Sequence, residues 1–284
     1  MAEAEDVITD AALHATNFVQ GVWRRHRANA PAVPVCTLAD VAQRLDLLIA
    51  AVFGRSYRLR TAQVPARPTV LARTFGRQLR PRVLGAIPAT DGNCIWLPAE
   101  TGLGDVALAL QRFRTVALQQ AMRAYRGSAA AAGSNATPLV RDLYLLIEAH
   151  AADTALARLL PGMREPLDAL RAAALKARPL LSDFSTPRQR LEAWVRGLMA
   201  MPCLAPGTDT MASPSPDRSW RMASALADHL EPAASSNLQL GPLPLFKDWW
   251  TGELHAPRSG PVSAFEYDSA SDAQPAGTIR SARL

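Results

Sequence analysis

The chain has 284 residues, a hydrophobic fraction of 49% and a formal net charge of +6. This length and hydrophobic fraction allow one large domain or two small ones with a real core, which argues against wholesale disorder. Aromatic residues make up only 6% of the chain, while alanine and leucine are abundant, so helices are favoured over a β-sandwich.

The cysteine pattern and the N-terminus bear on the compartment. Cys36, Cys94 and Cys203 are far apart and odd in number, which is not a disulfide framework and favours a reducing environment. The acidic N-terminus lacks the order of a signal peptide, and no apolar run approaches the roughly 18 residues that a membrane span needs. We therefore expect a cytoplasmic protein without membrane insertion.

The first hundred residues combine helices with a short β region. Helical periodicity predicts helices over residues 6–27 and, from an N-cap at Thr37 to a stop at Gly54, over the next apolar stretch. Residues 57–61 alternate as a strand does, and Asp91-Gly92 is a turn signal before the apolar segment 94–97. This pattern predicts a small β-hairpin or sheet around residues 57–98, with a short helix over 70–80.

The rest of the chain is predicted to be helical up to a polar tail. Residues 127–137 are interpreted as a flexible loop, 202–217 as a linker, and 256–284 as a disordered linker or tail after a helical domain over residues 1–255. The fold class is therefore mainly α, a multi-helix domain with a small β element. The further predicted helices are residues 105–126, 138–160, 164–176, 186–199 and 219–230.

One predicted helix has the layout of a zincin metallopeptidase without its ligands. A turn, a short strand and then a helix ending at Gly127 match that scaffold, whose helix carries His-Glu-x-x-His. Here Gln119 and Arg123 stand at the histidine positions and Gln120 stands at the position of the general base. An arginine cannot ligate a cation at ordinary pH, so a scaffold of this type would be degenerate. Coincidence of a helix and a turn is the alternative.

Glu148 lies on a later apolar helix, where a zincin often carries its third ligand. We favour a structural role, a buried carboxylate paired with an arginine such as Arg123, because an unpaired buried charge is costly. The histidines show no metal-ligand spacing, and no phosphate loop, dinucleotide fingerprint or nucleophile elbow is present. We therefore predict no catalytic residue, no cofactor and no metal.

The chain resembles the N-terminal region of NorD/CbbO-type proteins, the nitric-oxide-reductase activation protein and the Rubisco-activase adaptor subunit. The similarity runs over about residues 5–270 and depends on the order and spacing of several stretches. These stretches are LADVAQRLDLL at 38–48, VFGR at 52–55, PATDG at 88–92, IWLP at 95–98, LQQAMR at 118–123, PGM at 161–163 and WTGEL at 250–254.

The resemblance implies a non-catalytic adaptor that binds a MoxR-type AAA+ ATPase and helps it to activate or remodel a client enzyme, such as a nitric oxide reductase or a Rubisco. In that family a C-terminal von Willebrand factor A domain engages the target through a metal site. We expect no such domain within these residues, because the segment at 268–272 has Ala270 where the first serine of the metal motif must be. Either the sequence is an N-terminal portion of a longer protein, or the function of that domain is absent or supplied by another chain. Target engagement through a metal therefore does not transfer.

Two groups of side chains are candidate contacts with a partner. The first is the arginine-rich region, with a solvated face as the alternative, and the second is the tryptophan pair Trp249 and Trp250, with anchoring of the C-terminal segment as the alternative. The arginines are Arg73, Arg77, Arg80 and Arg82.

Two other functions remain open at this point. The first is a divergent zinc metallopeptidase. The second is nucleic-acid binding through the arginines of residues 55–82, where no acidic residue appears between Leu47 and Thr90. Nucleic acid is the less favoured partner because arginine replaces lysine almost throughout the chain.

Overall fold

The computed structural model describes residues 35–64, 85–132, 136–184, 186–203, 213–230 and 245–257. The predicted helices over 6–27 and 70–80, and the tail from residue 258 onward, lie outside these residues. So do Arg73, Arg77, Arg80 and Arg82, whose role as partner contacts stays a prediction.

Seven α-helices make up most of the described chain, which confirms the mainly α prediction. The bounds of six of them agree with the predicted ranges to within about three residues, and the seventh lies in a segment predicted as a loop. They are α1 (Leu38–Phe53), α2 (Val106–Arg126), α3 (Ser128–Ala131), α4 (Pro138–Leu159), α5 (Arg164–Ala177), α6 (Thr186–Ala200) and α7 (Pro216–Leu230).

Helix α3 corrects the loop that was predicted for residues 127–137. Ser128 and Ala129 are buried there, and the Tyr144 hydroxyl donates a 2.6 Å hydrogen bond to the Ser128 carbonyl. These tertiary contacts hold one helical turn in a glycine- and alanine-rich stretch whose composition alone favours a loop.

The small sheet has four strands in the order β1-β3-β2-β4. The strands are β1 (Arg58–Thr61), β2 (Ala89–Thr90), β3 (Cys94–Leu97) and β4 (Glu253–Leu254). Strands β2 and β3 are antiparallel and form the predicted hairpin, while β1 pairs parallel to β3 and β4 parallel to β2. The sheet therefore extends beyond the predicted range 57–98, because its last strand comes from the C-terminal part of the chain.

Local chemistry explains why the hairpin and the first helix form where the sequence predicts them. The Asp91 carboxylate accepts hydrogen bonds from the amides of Asn93 and Cys94, and Gly92 supplies the positive φ of 92° that the turn needs. At the start of α1, the Asp40 carboxylate accepts from the amide and the hydroxyl of Thr37, which is half of a capping box.

One continuous core joins the helices to the inner face of the sheet. The buried stripe of α1 and the β3 side chains Ile95 and Leu97 pack with α2, and α2 packs in turn against α4. Helix α7 lies along the other side of α4. The buried stretches 115–124 of α2 and 143–154 of α4 therefore lie at the centre of the described residues. No helix among the described residues is both long and apolar enough to cross a membrane.

Candidate functional site

Helix α2 carries the residues at the zincin-like positions, and its caps fix where it begins and ends. Asp105 precedes the helix, and its carboxylate accepts from the amides of Ala107 and Leu108 at 2.7 and 3.1 Å. Gly127 ends it in the left-handed conformation, with φ 78°. Every residue from 115 to 124 is buried, so this stretch of α2 presents no face to solvent.

The four side chains that were singled out from the sequence are all fully buried. Gln119 and Arg123 lie one turn apart, as the zincin comparison requires, but they bond to different partners. The Gln119 amide donates a 2.8 Å hydrogen bond to Asp153 on α4. The side-chain amide of Gln120 has no hydrogen-bond partner among the described residues.

Glu148 is a buried carboxylate bonded to an arginine, as predicted, but the arginine is Arg126 and the predicted pairing with Arg123 is wrong. Arg126 donates from Nε and Nη2 to the two carboxylate oxygens at 3.2 and 2.9 Å. The hydroxyls of Ser128 and Ser219 donate to the same carboxylate. Arg126 lies at the end of α2 next to Ser128, which places its side chain, and not that of Arg123, within reach.

The electrostatics of Glu148 favour its charged form. Burial alone would raise its pKa, but the hydrogen bonds and charge of Arg126, with the bonds from Ser128 and Ser219, outweigh burial and hold the pKa below its ordinary value. Glu148 is therefore an ionised, fully bonded group whose acceptor atoms are already engaged.

The guanidinium of Arg123 binds backbone carbonyls of the C-terminal segment. Its Nη1 donates to the Thr251 carbonyl at 2.6 Å and its Nη2 donates to the Trp250 carbonyl at 2.8 Å. Burial lowers the pKa of Arg123 to about 10, and the nearby carboxylates, Asp153 first among them, oppose that shift. The side chain is still a cation at neutral pH. It holds a C-terminal segment, and it cannot act as a metal ligand in that form.

Asp153 is the residue that sequence reasoning missed. Its carboxylate accepts from Gln119, from Nε of Arg171 at 2.9 Å and from the indole N–H of Trp250 at 2.7 Å. Helices α2, α4 and α5 and the C-terminal segment therefore meet at one buried anion. The available signal was the run of ionisable residues Glu148, His150 and Asp153 in an otherwise apolar helix, because such groups are buried only with partners.

The C-terminal strap, defined here as residues 245–257, lies across these positions. Trp250 is fully buried, so its predicted exposure as a partner contact is wrong, and the alternative of an anchor for the C-terminal segment is correct. Trp249 is half-buried, with the Arg112 guanidinium 5.9 Å from its ring centre. A fully buried indole supplies core packing, and so it cannot be a surface for another protein.

Gly252 shows how closely the strap approaches α2. Its φ is +59°, and a Cβ built there would lie 2.8 Å from both Arg123 Nη1 and Gln120 Nε2. The strap continues into β4, where the amides of Glu253 and His255 donate to Pro88 and Thr90 at 2.8 and 2.9 Å. Only a glycine fits between the sheet and the polar side chains of α2 at this point.

A second ion-pair cluster fixes the near end of the strap. Arg178 donates to Glu192 on α6 and to Asp248 of the strap, and the hydrogen bonds and charges of these carboxylates raise its pKa although burial opposes that shift. Asp142 accepts from the Leu245 amide at 2.7 Å. The strap is therefore tied to the helices at its near end and to the sheet at its far end.

The described residues do not form a zinc site. No group of three or more histidine, cysteine or carboxylate side chains among them is arranged to hold a metal ion. The three cysteines are separate and buried, and burial raises the pKa of the Cys203 thiol well above its ordinary value. The arrangement of Gln119, Arg123 and Glu148 holds helices and the strap together.

Comparison with known proteins adds no relative to this description. No family model, no curated protein and no solved structure matches the chain.

Proposed function

We propose that the chain is a non-catalytic adaptor that binds a MoxR-type AAA+ ATPase and helps it to activate or remodel a client enzyme. One observation carries the non-catalytic part of the proposal. The place at which a zincin-like scaffold would hold zinc and a general base is filled by the chain's own strap, with Trp250 buried and Gly252 against Arg123.

The bonding of the polar side chains supports the same interpretation. A catalytic carboxylate or amide needs an atom that is free to meet a substrate. The carboxylates of Glu148 and Asp153 each accept hydrogen bonds from three residues of the fold, and both terminal nitrogens of Arg123 donate to strap carbonyls. On this proposal the scaffold is a degenerate zincin-like one in which former site positions now stabilise the fold.

The partner class comes from the resemblance to NorD/CbbO-type proteins. In this proposal the ATP chemistry lies in the MoxR-type ring, and the chain supplies a surface that connects the ring to a client such as a nitric oxide reductase or a Rubisco. A cytoplasmic location belongs to the same proposal, because the ATPase needs cytoplasmic ATP.

The test of the proposal is binding to a purified MoxR-class ATPase from the same genome. The chain and the ATPase are mixed with ATP and separated by size-exclusion chromatography, and ATP hydrolysis is measured in parallel. We expect the chain to elute with the hexamer and to change its rate of hydrolysis. Separate elution of both proteins over a range of nucleotides and micromolar concentrations would contradict the proposal.

The metallopeptidase alternative is tested on the same preparation. We expect no stoichiometric zinc in the purified chain by elemental analysis, and no cleavage of a peptide library. One equivalent of tightly bound zinc that disappears in Glu148→Gln, together with metal-dependent cleavage, would replace the adaptor with an enzyme.

A further inference from the structure

The sheet has two edge strands, β1 and β4, and no described strand covers the outer edge of β1. Strand β1 lies at the end of the order β1-β3-β2-β4, and its residues Arg58, Arg60 and Thr61 are exposed. The amides of Arg58 and Ala62 donate to the carbonyls of Asn93 and Leu97, on the β3 side. Since peptide groups alternate along a strand, the amides of Leu59 and Thr61 face the opposite, outer edge.

The side chains around this edge are cationic and aromatic. Arg58 and Arg60 lie on one face of β1, and the register places Trp96 of β3 opposite Arg60 on that face. The Trp96 ring is half-buried, and its centre lies 4.7 Å from that of the His255 ring. Tryptophan and arginine are the residues most enriched in interface hot spots.

The exposed charges of β1 are positive, and Glu253 of β4, in the same register row as Arg60, is paired with a lysine and a histidine. No acidic residue occurs between Leu47 and Thr90, while Arg55, Arg58 and Arg60 are all exposed. Two copies of such an edge would place like charges opposite each other, which disfavours pairing of the strand with itself. An extended segment with carboxylates on alternate positions would place one of them beside Arg60 while its backbone bonds to the edge.

We propose that the outer edge of β1 binds an extended acidic segment of a partner protein by β-strand addition. The backbone amides of Leu59 and Thr61 donate to its carbonyls, and Arg60 and Trp96 contact its side chains. Strand addition of this kind takes affinity from main-chain hydrogen bonds and specificity from alternate side chains. The identity of the partner rests on the adaptor role proposed above. The chemistry of the bound segment is inferred from the edge strand itself.

The test uses the full chain and fluorescent peptides, with binding measured by anisotropy. The probe is a short peptide of alternating glutamate and valine, and its comparison is the lysine-valine peptide of the same length. We expect the acidic peptide to bind at least about tenfold more tightly at low salt, because only its charges complement Arg60. Equal binding of the two peptides, or none, would overturn the inference.

Thr61→Pro isolates the backbone contribution. Proline at this position removes an amide that faces away from β3, so the ladder to β3 keeps its hydrogen bonds and an edge strand tolerates the change. We expect the acidic peptide to bind roughly fivefold more weakly, the loss of about one hydrogen bond. Thr61→Ala keeps the amide and should bind as the unchanged chain does. Equal weakening by both variants, or by neither, would contradict strand addition.

Arg60→Glu isolates the charge, with Arg221→Glu on α7 as an exposed control that changes the net charge equally. Only Arg60→Glu should weaken the acidic peptide. A single-stranded oligonucleotide serves as the other probe. If it binds more tightly than the peptide and is insensitive to Thr61→Pro, the surface is a nucleic-acid site and the inference fails.

The same variants separate this inference from the adaptor proposal. If the MoxR-class ATPase elutes equally with the unchanged chain and with Thr61→Pro, while the acidic peptide binds neither, the adaptor stands and the edge inference falls. If the acidic peptide binds as described but the ATPase never elutes with the chain, the edge inference stands and the adaptor proposal falls.

Discussion

Arginines occupy two opposite environments in this chain. Arg123, on α2, is completely buried and donates hydrogen bonds to the carbonyls of Trp250 and Thr251. Arg60, on β1, is exposed on an edge strand of the sheet that the described residues form. The same residue type therefore builds the interior in one region and is exposed to solvent in the other. Composition, which records only an excess of arginine, cannot separate the two uses.

The largest expected effect comes from removing the buried tryptophan that anchors the C-terminal strap. Trp250→Ala should lower the free energy of unfolding by about 3–5 kcal/mol, because it leaves a cavity and removes a hydrogen bond to Asp153. Trp249→Ala, at a half-buried ring, should cost less than about half as much. Chemical denaturation of both variants measures the difference, and equal losses would show that the two tryptophans do not differ in role.

Gly252→Ala tests the close approach of the strap to α2. Alanine at positive φ costs about 1–2 kcal/mol, and contacts of 2.8 Å with Arg123 and Gln120 should add about 1–3 kcal/mol. Gly54→Ala is the matched control, since Gly54 has a similar φ of +68° with nothing within 4 Å of its Cβ position. Thermal unfolding should place Gly252→Ala well below Gly54→Ala. Equal midpoints would mean that the strap moves aside at no cost.

The acid dependence of stability tests the buried region through Glu148, whose pKa is held below its ordinary value. A depressed folded-state pKa stabilises the protein above the pKa of the unfolded chain, and this stability is lost as the pH falls through the folded pKa. We therefore expect the free energy of unfolding to fall as the pH drops below about 4.5, the ordinary pKa of a glutamate side chain. Glu148→Gln should show a shallower acid slope in denaturation curves. An unchanged slope would assign acid sensitivity to other carboxylates.

Gln120→Met should stabilise the chain. The Gln120 amide is buried without a hydrogen-bond partner among the described residues, and methionine is a near-isosteric side chain without that polar group. We expect a gain of about 1 kcal/mol in unfolding free energy. Gln119→Met is the control, and it should destabilise because Gln119 bonds to Asp153. A loss of stability in Gln120→Met would indicate that a buried water satisfies the amide.

The smallest effect concerns the exposed region. Arg60→Glu should leave the unfolding free energy within about 0.5 kcal/mol, since Arg60 is a surface side chain. Differential scanning calorimetry checks this directly. A larger change would mean that Arg60 is part of the fold, and it would weaken its assignment as a recognition residue.

Local signals predicted the elements of this fold better than they predicted its contacts. The bond from Thr37 to Asp40, the Asp91-Gly92 turn and the Gly127 stop act within a few residues, so the sequence displays them directly. The pairing of β4 with β2 joins residues more than 150 positions apart, and no local pattern encodes it. The one-turn helix after Gly127 also depends on distant partners.

The candidate site was predictable in kind but not in detail. An ionised Glu148 in an apolar helix must have a cationic partner, and the sequence offers Arg123 and Arg126 one turn apart. The choice between them depends on the strap, because its carbonyls accept the hydrogen bonds of Arg123, and Arg126 is the arginine that pairs with the Glu148 carboxylate. Trp250 was ambiguous for the same reason, because its burial requires the strap to return to α2.

The most direct test of the contrast between interior and surface is the affinity of the MoxR-class ATPase for three chains that are equally well folded. These are the unchanged chain, Gln120→Met and Arg60→Glu. The account predicts that Gln120→Met binds within about twofold of the unchanged chain, and that Arg60→Glu binds at least about fivefold more weakly. If Gln120→Met lost binding while Arg60→Glu bound as the unchanged chain does, the account would be contradicted, because a buried position of α2 would then determine binding.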